Sequence, residues 1–216
     1  MLTIITHCNV NRDIDRSKCF DSIERALGLL DCDWNILPLD CKTHNDFLIA
    51  RHESVTSRKG FIAFVDDDDW IEPDAIRLLL GAIEQNPNTG IVYSDEGIAH
   101  DNCDIICSKA GTEYGDMLYG AGRMHHICAI NSEYVTSASL NIALKAGCGI
   151  EWAMKAQAAL TAGAVYIPKK LYNYRIHNDR ITNQVSKNFN LCHDIFIPQF
   201  KQWQKYHGKI PIYHEA

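Results

Sequence analysis

The sequence predicts an α/β fold, a doubly wound and mostly parallel central sheet flanked by helices. Three observations carry that prediction. Apolar runs and helical segments alternate as β-α-β-α-β-α-β over roughly the first hundred residues. The run FIAFV, 61–65, is apolar on both faces, as the middle of a parallel sheet requires. It ends in four aspartates, Asp66 to Asp69, and open α/β sheets bind ligands beyond the carboxyl ends of their strands.

The elements follow in order. LTIIT, 2–6, reads as a short buried strand. Ser22 to Leu30 places Ile23, Leu27 and Leu30 at helical spacing, with Asp21 as a cap. NILPLD, 35–40, is a second strand, made irregular and edge-like by Pro38. Residues 44–58 form a polar helix, and 61–65 the third strand. The clearest helix then starts at Pro73, with Glu72 and Asp74 near its positive end and Ile76, Leu79, Leu80 and Ile83 as its apolar stripe. Asn86-Pro87 stops it, and IVYSD, 91–95, is a fourth strand. The second half is less regular. A long loop is expected over 97–122, a strand at 125–131, a helix at 152–162 and a strand at 165–168 ended by Pro168. A polar, aromatic loop is expected over 172–183, then a tail from 187 that packs back on the body.

Composition narrows the function. The 216 residues make one large domain or two small ones, with 46% hydrophobic and 22% charged residues, which is a globular composition. A formal net charge of -6 argues against a general nucleic-acid binder. The nine cysteines are odd in number and scattered, with no CxxC pair, so reduced, packed thiols are expected rather than a zinc ribbon. The start MLTIITHCNVNRD is too short and polar for a signal peptide, and no apolar run suits a membrane span. A cytosolic protein with no stable membrane insertion is expected.

Three strand ends converge on one polar crevice: Thr6, His7 and Asn9, then Asp40, then the aspartate run. Adjacent carboxylates repel, and more strongly near an apolar core. Spacing alone leaves two readings open. The run is a Mg²⁺ or Mn²⁺ site that brings in substrate phosphates, or it is a capped, solvated turn.

KGFIAFVDDDDWIEPDAI resembles the core motif of the family 2 glycosyltransferases of GT-A fold: an apolar strand, Asp-x-Asp-Asp, an aromatic residue and a Pro-Asp helix start. LTIIT resembles that family's first strand, and Ala50-Arg51 its Ala-Arg step before the third strand. IVYSDE resembles the strand after the metal-site helix, and GIEWAMKAQAALTAGAVYIPKKLYNYRIHNDRIT its acidic-Trp helix and Tyr-Arg-x-His loop. The match runs over residues 2–183 in the right order. It implies a single GT-A domain with a nucleotide-sugar half, 1–100, an acceptor half, 101–185, and a C-terminal tail, 186–216.

The resemblance also implies roles. Thr6, Asn9 and Asp40 would contact the nucleotide, Arg51 would lie beside it, and Asp66 and Asp67 would belong to the donor site. Asp68 and His177 would hold Mn²⁺ or Mg²⁺, while Arg175 and Arg180 would neutralise the leaving group. The aspartate run leaves the register open between Asp66/Asp68 and Asp67/Asp69. Glu151 stands where the family usually has Asp before the Trp, and would be the general base. Taken alone, it is also an ordinary helix-start glutamate. One carboxylate base and no second nucleophile would give an inverting, metal-dependent transfer from a nucleotide-diphosphate sugar, with UDP the expected nucleotide. The implied acceptor is a glycan or lipid-linked hydroxyl. A modified base in DNA is the alternative, favoured if Arg123, Lys145, Lys155, Lys169 and Lys170 form a basic stripe.

Other candidates are weaker. His125-His126 is a strand-edge pair that is either structural or in touch with substrate or metal. Trp70 reads as core, Lys169-Lys170 as a solvated turn, and 203–209 as a solvated terminal helix. A nucleotidyltransferase would carry a glycine-rich loop after the first strand, where this chain has THCNVNRD. A non-catalytic nucleotide-sugar-binding module is the remaining rival, kept open by Glu at 151.

Overall fold

The computed structural model describes residues 1–10, 14–41, 43–100, 105–119, 123–177 and 189–215. Its strands are β1 (Leu2–Asn9), β2 (Asp33–Leu39), β3 (Phe61–Phe64), β4 (Trp70–Ile71), β5 (Ile91–His100), β6 (Ile106–Ser108), β7 (Cys128–Asn131) and β8 (Ala164–Ile176). Its helices are α1 (Ser17–Leu27), α2 (His44–Thr56), α3 (Ala75–Gln85), α4 (Asp116–Tyr119), α5 (Ser137–Ala146), α6 (Ile150–Ala162) and α7 (Phe189–Trp203).

One sheet runs in the order β2-β1-β3-β7-β5-β8-β4, with β6 paired to β5. β1 is parallel to β2 and β3, and β5 is parallel to β8. Between them β7 runs antiparallel to both β3 and β5. The five long or central strands thus share one direction, with β7 wedged against it.

Period-two alternation sorts each strand onto two faces. Leu2, Ile4, Ala63, Val65, Val92 and Ala129 pack with Ile23 of α1 and Ile76, Leu79 and Ile83 of α3. Ile5, Ile62, Phe64, Ile91, Tyr93 and Ile130 face the other way, with Leu48 of α2, Trp152 of α6 and Phe196 and Phe200 of α7. The result is three layers with the sheet buried on both faces, and the polar strand ends are left as the natural place for chemistry.

Local signals account for several boundaries. Thr43 opens α2 with a capping box: Asp46 N donates to its hydroxyl at 3.2 Å, and Thr43 N donates to Asp46 at 2.8 Å. Gly149 precedes α6 at φ +74°, a left-handed conformation natural to glycine, and a Cβ there would press on the Phe196 ring at 2.9 Å. Gly90 lets β5 run against the α6 backbone, since a Cβ would meet Ala158 O at 2.0 Å. Gly90→Ala is therefore expected to destabilise the fold by roughly 3 kcal/mol, read as a lower urea midpoint with an unchanged slope.

The structure corrects several expectations. β5 runs on to His100, and β6 and α4 occupy part of the expected loop 97–122. Helix α5 carries no strong apolar stripe and is legible mainly from its Thr136 cap, whose hydroxyl accepts from Ala138 N at 3.3 Å. Pro168 does not end its strand. The pairing of β5 jumps from Ser94↔Ile167 to Asp95↔Lys170, so Pro168 and Lys169 sit in a bulge that needs no N–H. β8 then continues to Ile176 through the expected loop. α1 starts at Ser17, ahead of the expected cap. The C-terminal helix ends at Trp203, so 203–209 is not a terminal helix. The segment beyond it is tied to the body, with Tyr166 N donating to Pro211 O at 3.0 Å and Ile210 N to Thr112 O at 2.7 Å. Cys148 and Cys192 are joined as a disulfide where free thiols were expected; the packing of α7 beside the start of α6 brings residues 44 apart in sequence together. Among the described residues no helix is long and apolar enough to cross a membrane.

Candidate active site

The four aspartates leave the end of β3 in a tight turn, closed by Asp69 N donating to Asp66 O at 3.0 Å. They alternate in burial. Asp67 and Asp69 are buried, at 3% and 1% exposure, whereas Asp66 and Asp68 stay partly open. Each has its own partner. Asp66 pairs with the Arg51 guanidinium. Asp67 accepts from Arg16 Nε at 2.9 Å, and Asp68 lies 2.9 Å from His177 Nε2. Asp69 accepts from the Tyr172 hydroxyl at 2.6 Å and from Arg175 N at 2.7 Å. Burial, then the charges of Asp66 and Asp68, push Asp69 well above the usual carboxylate range. The repulsion of a bare run is thus relieved one residue at a time. The partly open pair is Asp66 and Asp68, and the buried pair is Asp67 and Asp69.

Arg51, on α2, ties the turn to the far side of the crevice. Its guanidinium lies 4.4 Å from the centre of the Phe64 ring, pairs with Asp66, and comes within 3.2 Å of Glu151 Oε1. Glu151 stands in the first turn of α6, where the helix dipole favours a negative charge. His126 Nε2 donates to its Oε2 at 2.9 Å, and Lys155 Nζ, one turn on, lies at 3.8 Å. Burial works against its charge, but Arg51, His126 and Lys155 together hold Glu151 well below the usual carboxylate range. At neutral pH it is an ionised carboxylate, still 20% exposed at the side chain.

His7 lines the same floor. Its ring stacks on Phe64 at 5.4 Å. Its Nε2 donates to the Ser54 hydroxyl at 2.9 Å, because the Ser54 proton goes to Ala50 O at 2.8 Å. Burial, and then the Arg51 charge, push His7 down to about 3, so it is neutral. The sign follows: between pH 6.5 and 3 the unfolded chain binds a proton that folded His7 refuses, so stability falls as pH is lowered through that window. Unfolding free energies from urea melts between pH 7 and pH 4 should drop less in His7→Gln than in wild type, by on the order of a few kcal/mol.

The other expected residues fall as follows. Thr6 is fully buried, and its hydroxyl accepts from Trp34 Nε1 at 3.1 Å, so its side chain does not open onto the crevice. Asp40 is exposed just past β2. Arg175 is half-buried near the end of β8. Asn9 ends β1, in register with Leu39, but its side chain lies outside the described residues, as does all of Arg180. Sequence reasoning missed Arg16 and Glu96. Arg16 reaches Asp67 across 51 residues of sequence with no local signal. Glu96 Oε2 faces His126 Nδ1 at 3.8 Å from β5. Of the five cations whose stripe would favour the DNA alternative, Lys155 is buried, Lys169 pairs with Asp74 and Lys170 with Glu72.

Among the described residues no group of three or more His, Cys, Asp and Glu side chains is arranged to hold a metal ion. Asp68 with His177 is a two-residue set, one hard oxygen and one imidazole nitrogen. That fits Mg²⁺ or Mn²⁺ completed by substrate phosphates rather than an all-protein cage.

With this geometry in place, the chain compares well with S. aureus TarS. The TarS 1–349 structure aligns at TM-score 0.56 and 10% identity, over 81% of this chain and 60% of that one. The same protein in complex with UDP aligns at 0.58 and 11%, over 94% of this chain and 69% of that one. Its complex with UDP-GlcNAc aligns at 0.52 and 9%, over 94% and 70%. The fold is GT-A. No protein-family model matches the chain. An uncharacterized protein of Sinorhizobium fredii, y4gI, is 29% identical over 82 residues, which are 37% of this chain and only 9% of that protein.

Proposed function

We propose that the protein is a metal-dependent, inverting glycosyltransferase that takes a sugar from a nucleotide-diphosphate donor, with UDP as the nucleotide. One observation carries the reading: Arg51 joins the open aspartate Asp66 to the carboxylate Glu151 across the strand ends. A donor-binding aspartate and a base then face one crevice. The fold supports it, since TarS structures hold UDP and UDP-GlcNAc.

In this reading Asp66 binds the ribose, and Asp40, just past β2, lies toward the nucleotide base. Arg175 meets the diphosphate, the role that the resemblance implies for Arg180 as well. Asp68 and His177 would hold Mn²⁺ or Mg²⁺, which would neutralise charge on the diphosphate as it leaves. Glu151 takes the proton of the acceptor hydroxyl while that oxygen attacks the anomeric carbon. The new carbon–oxygen bond forms as the bond to the diphosphate oxygen breaks, and the electron pair leaves with the diphosphate. A single displacement inverts the anomeric centre. An ionised carboxylate of low basicity can still serve, because the hydroxyl becomes strongly acidic as its oxygen attacks. The pairing of Lys155, Lys169 and Lys170 with acidic side chains favours a glycan or lipid-linked acceptor over modified DNA.

The test is a panel of UDP-, GDP-, TDP- and CMP-sugars with Mn²⁺ or Mg²⁺, reading free nucleotide with and without candidate glycan acceptors. Metal-dependent release from one donor, lost in Asp68→Ala, is the expected result. Release that ignores the metal and survives Asp68→Ala would overturn the proposal.

A further inference from the structure

The expected roles leave His126 without a task, yet it touches Glu151, Glu96 and Tyr172 at once. It precedes β7, and its Nε2 donates to Glu151 Oε2 at 2.9 Å. On its other edge Nδ1 faces Glu96 of β5 at 3.8 Å. Its ring lies against Tyr172 of β8 at 5.1 Å, and Tyr172 is fixed by its hydrogen bonds to Asp69 and to Asp66 N. Two strands, β5 and β8, therefore set the position of one imidazole, and that imidazole meets Glu151.

We propose that His126 is the positioning residue of the candidate base: clamped by Glu96 and Tyr172, it donates the hydrogen bond that aims the Glu151 carboxylate at the acceptor. The inference rests on the transferase reading and deepens it. Two cations grip Glu151 from two sides, Arg51 at Oε1 and His126 at Oε2. Each oxygen keeps a second lone pair for an incoming hydroxyl. With Arg51 alone the carboxylate would be free to swing about its own side-chain torsions, and a misplacement of about 1 Å costs on the order of 100-fold in rate.

The charges around His126 are Glu96 on β5, Glu151 and Lys155 on α6, with Arg51 beyond Glu151. Burial lowers its affinity for a proton, and Lys155 pushes the same way. The hydrogen bond to Glu151, with the nearby Glu96 carboxylate and the Glu151 charge, outweighs both and holds it up at about 9. Its folded value is raised, so its contribution to stability is fully present below pH 6.5 and is lost as pH rises through 9.

Two measurements test the proposal. The first needs no turnover: NMR titration of ¹³C-labelled histidine, with the His126 signal assigned from His126→Gln. The imidazole is expected to titrate near pH 9 in wild type and at least one unit lower in Glu151→Gln. An unmoved midpoint would overturn the proposal. The second reads UDP released from UDP-sugars. His126→Ala is expected to lower kcat by 10- to 100-fold, as an order of magnitude, with KM for the donor unchanged. His126→Gln, which keeps a donor without the charge, is expected to recover most of that loss. In both variants the acidic limb of the rate profile should move to higher pH, because Glu151 has lost a neighbouring cation. Wild-type rate and an unmoved limb in His126→Ala would also overturn it. If wild type releases no nucleotide from any donor, the transferase reading fails, and the imidazole titration still decides whether His126 holds Glu151.

Discussion

Glu151→Gln is expected to lower kcat for sugar transfer by roughly 10²- to 10⁴-fold, the range a general base supplies. Donor affinity should stay within a few fold. The substitution keeps the size of the side chain and one oxygen that can accept from Arg51 or His126, but it removes the proton acceptor. In the proposed reaction the nucleotide meets other groups, those of the Asp66–Asp69 turn, so binding and turnover should separate. Calorimetry with UDP beside a turnover assay makes the split visible. Loss of binding in step with turnover would mean that Glu151 holds the donor instead. The variant should also be less stable, because Arg51 and His126 lose a counter-charge close to the core.

Arg51→Met should damage the protein most broadly. Arg51 is 2% exposed, and its guanidinium pairs with Asp66 and Glu151 together. Removing one partner of a buried ion pair usually costs about 3–5 kcal/mol, because the other charge is left without compensation. Asp66 and Glu151 keep some contact with water, at 32% and 20% side-chain exposure, so roughly 2–4 kcal/mol is the expected loss here. Methionine retains much of the packing on Phe64 but none of the charge. A urea series would show the lower midpoint, and activity should fall more than 100-fold, because the donor side and the base both lose the group that aligns them. Arg51→Lys keeps the charge but cannot reach two carboxylates in a fork, so it should recover stability better than activity. Wild-type stability in Arg51→Met would contradict the bridging role.

The sequence was most legible where a single physical rule dominates. FIAFV is apolar on both faces because both sides of β3 are covered, and no other environment suits it. The aspartates point to distant partners, because their immediate neighbours in sequence do not neutralise four adjacent carboxylates. What neutralises them was not legible. Arg16, Arg51 and His177 come from three separate elements, and only Arg51 and His177 were reached, through family resemblance rather than spacing. Pro168 misled because a strand proline reads as a stop, whereas a bulge between two paired stretches accommodates it. The insertion of β7 between β3 and β5 is a matter of topology, and no window of residues encodes it. Glu96 and His126 meet across β5 and the approach to β7, and that meeting follows from the same insertion.

The central claim is that the strand ends bind a nucleotide diphosphate beside Asp68 and His177. Titration of UDP into the protein by calorimetry, with Mn²⁺ and then with EDTA, tests it most directly. One site is expected that binds with Mn²⁺, that weakens at least about tenfold with EDTA, and that is lost in Asp68→Ala. No heat of binding under either condition, or binding equal in EDTA and in Asp68→Ala, would contradict it.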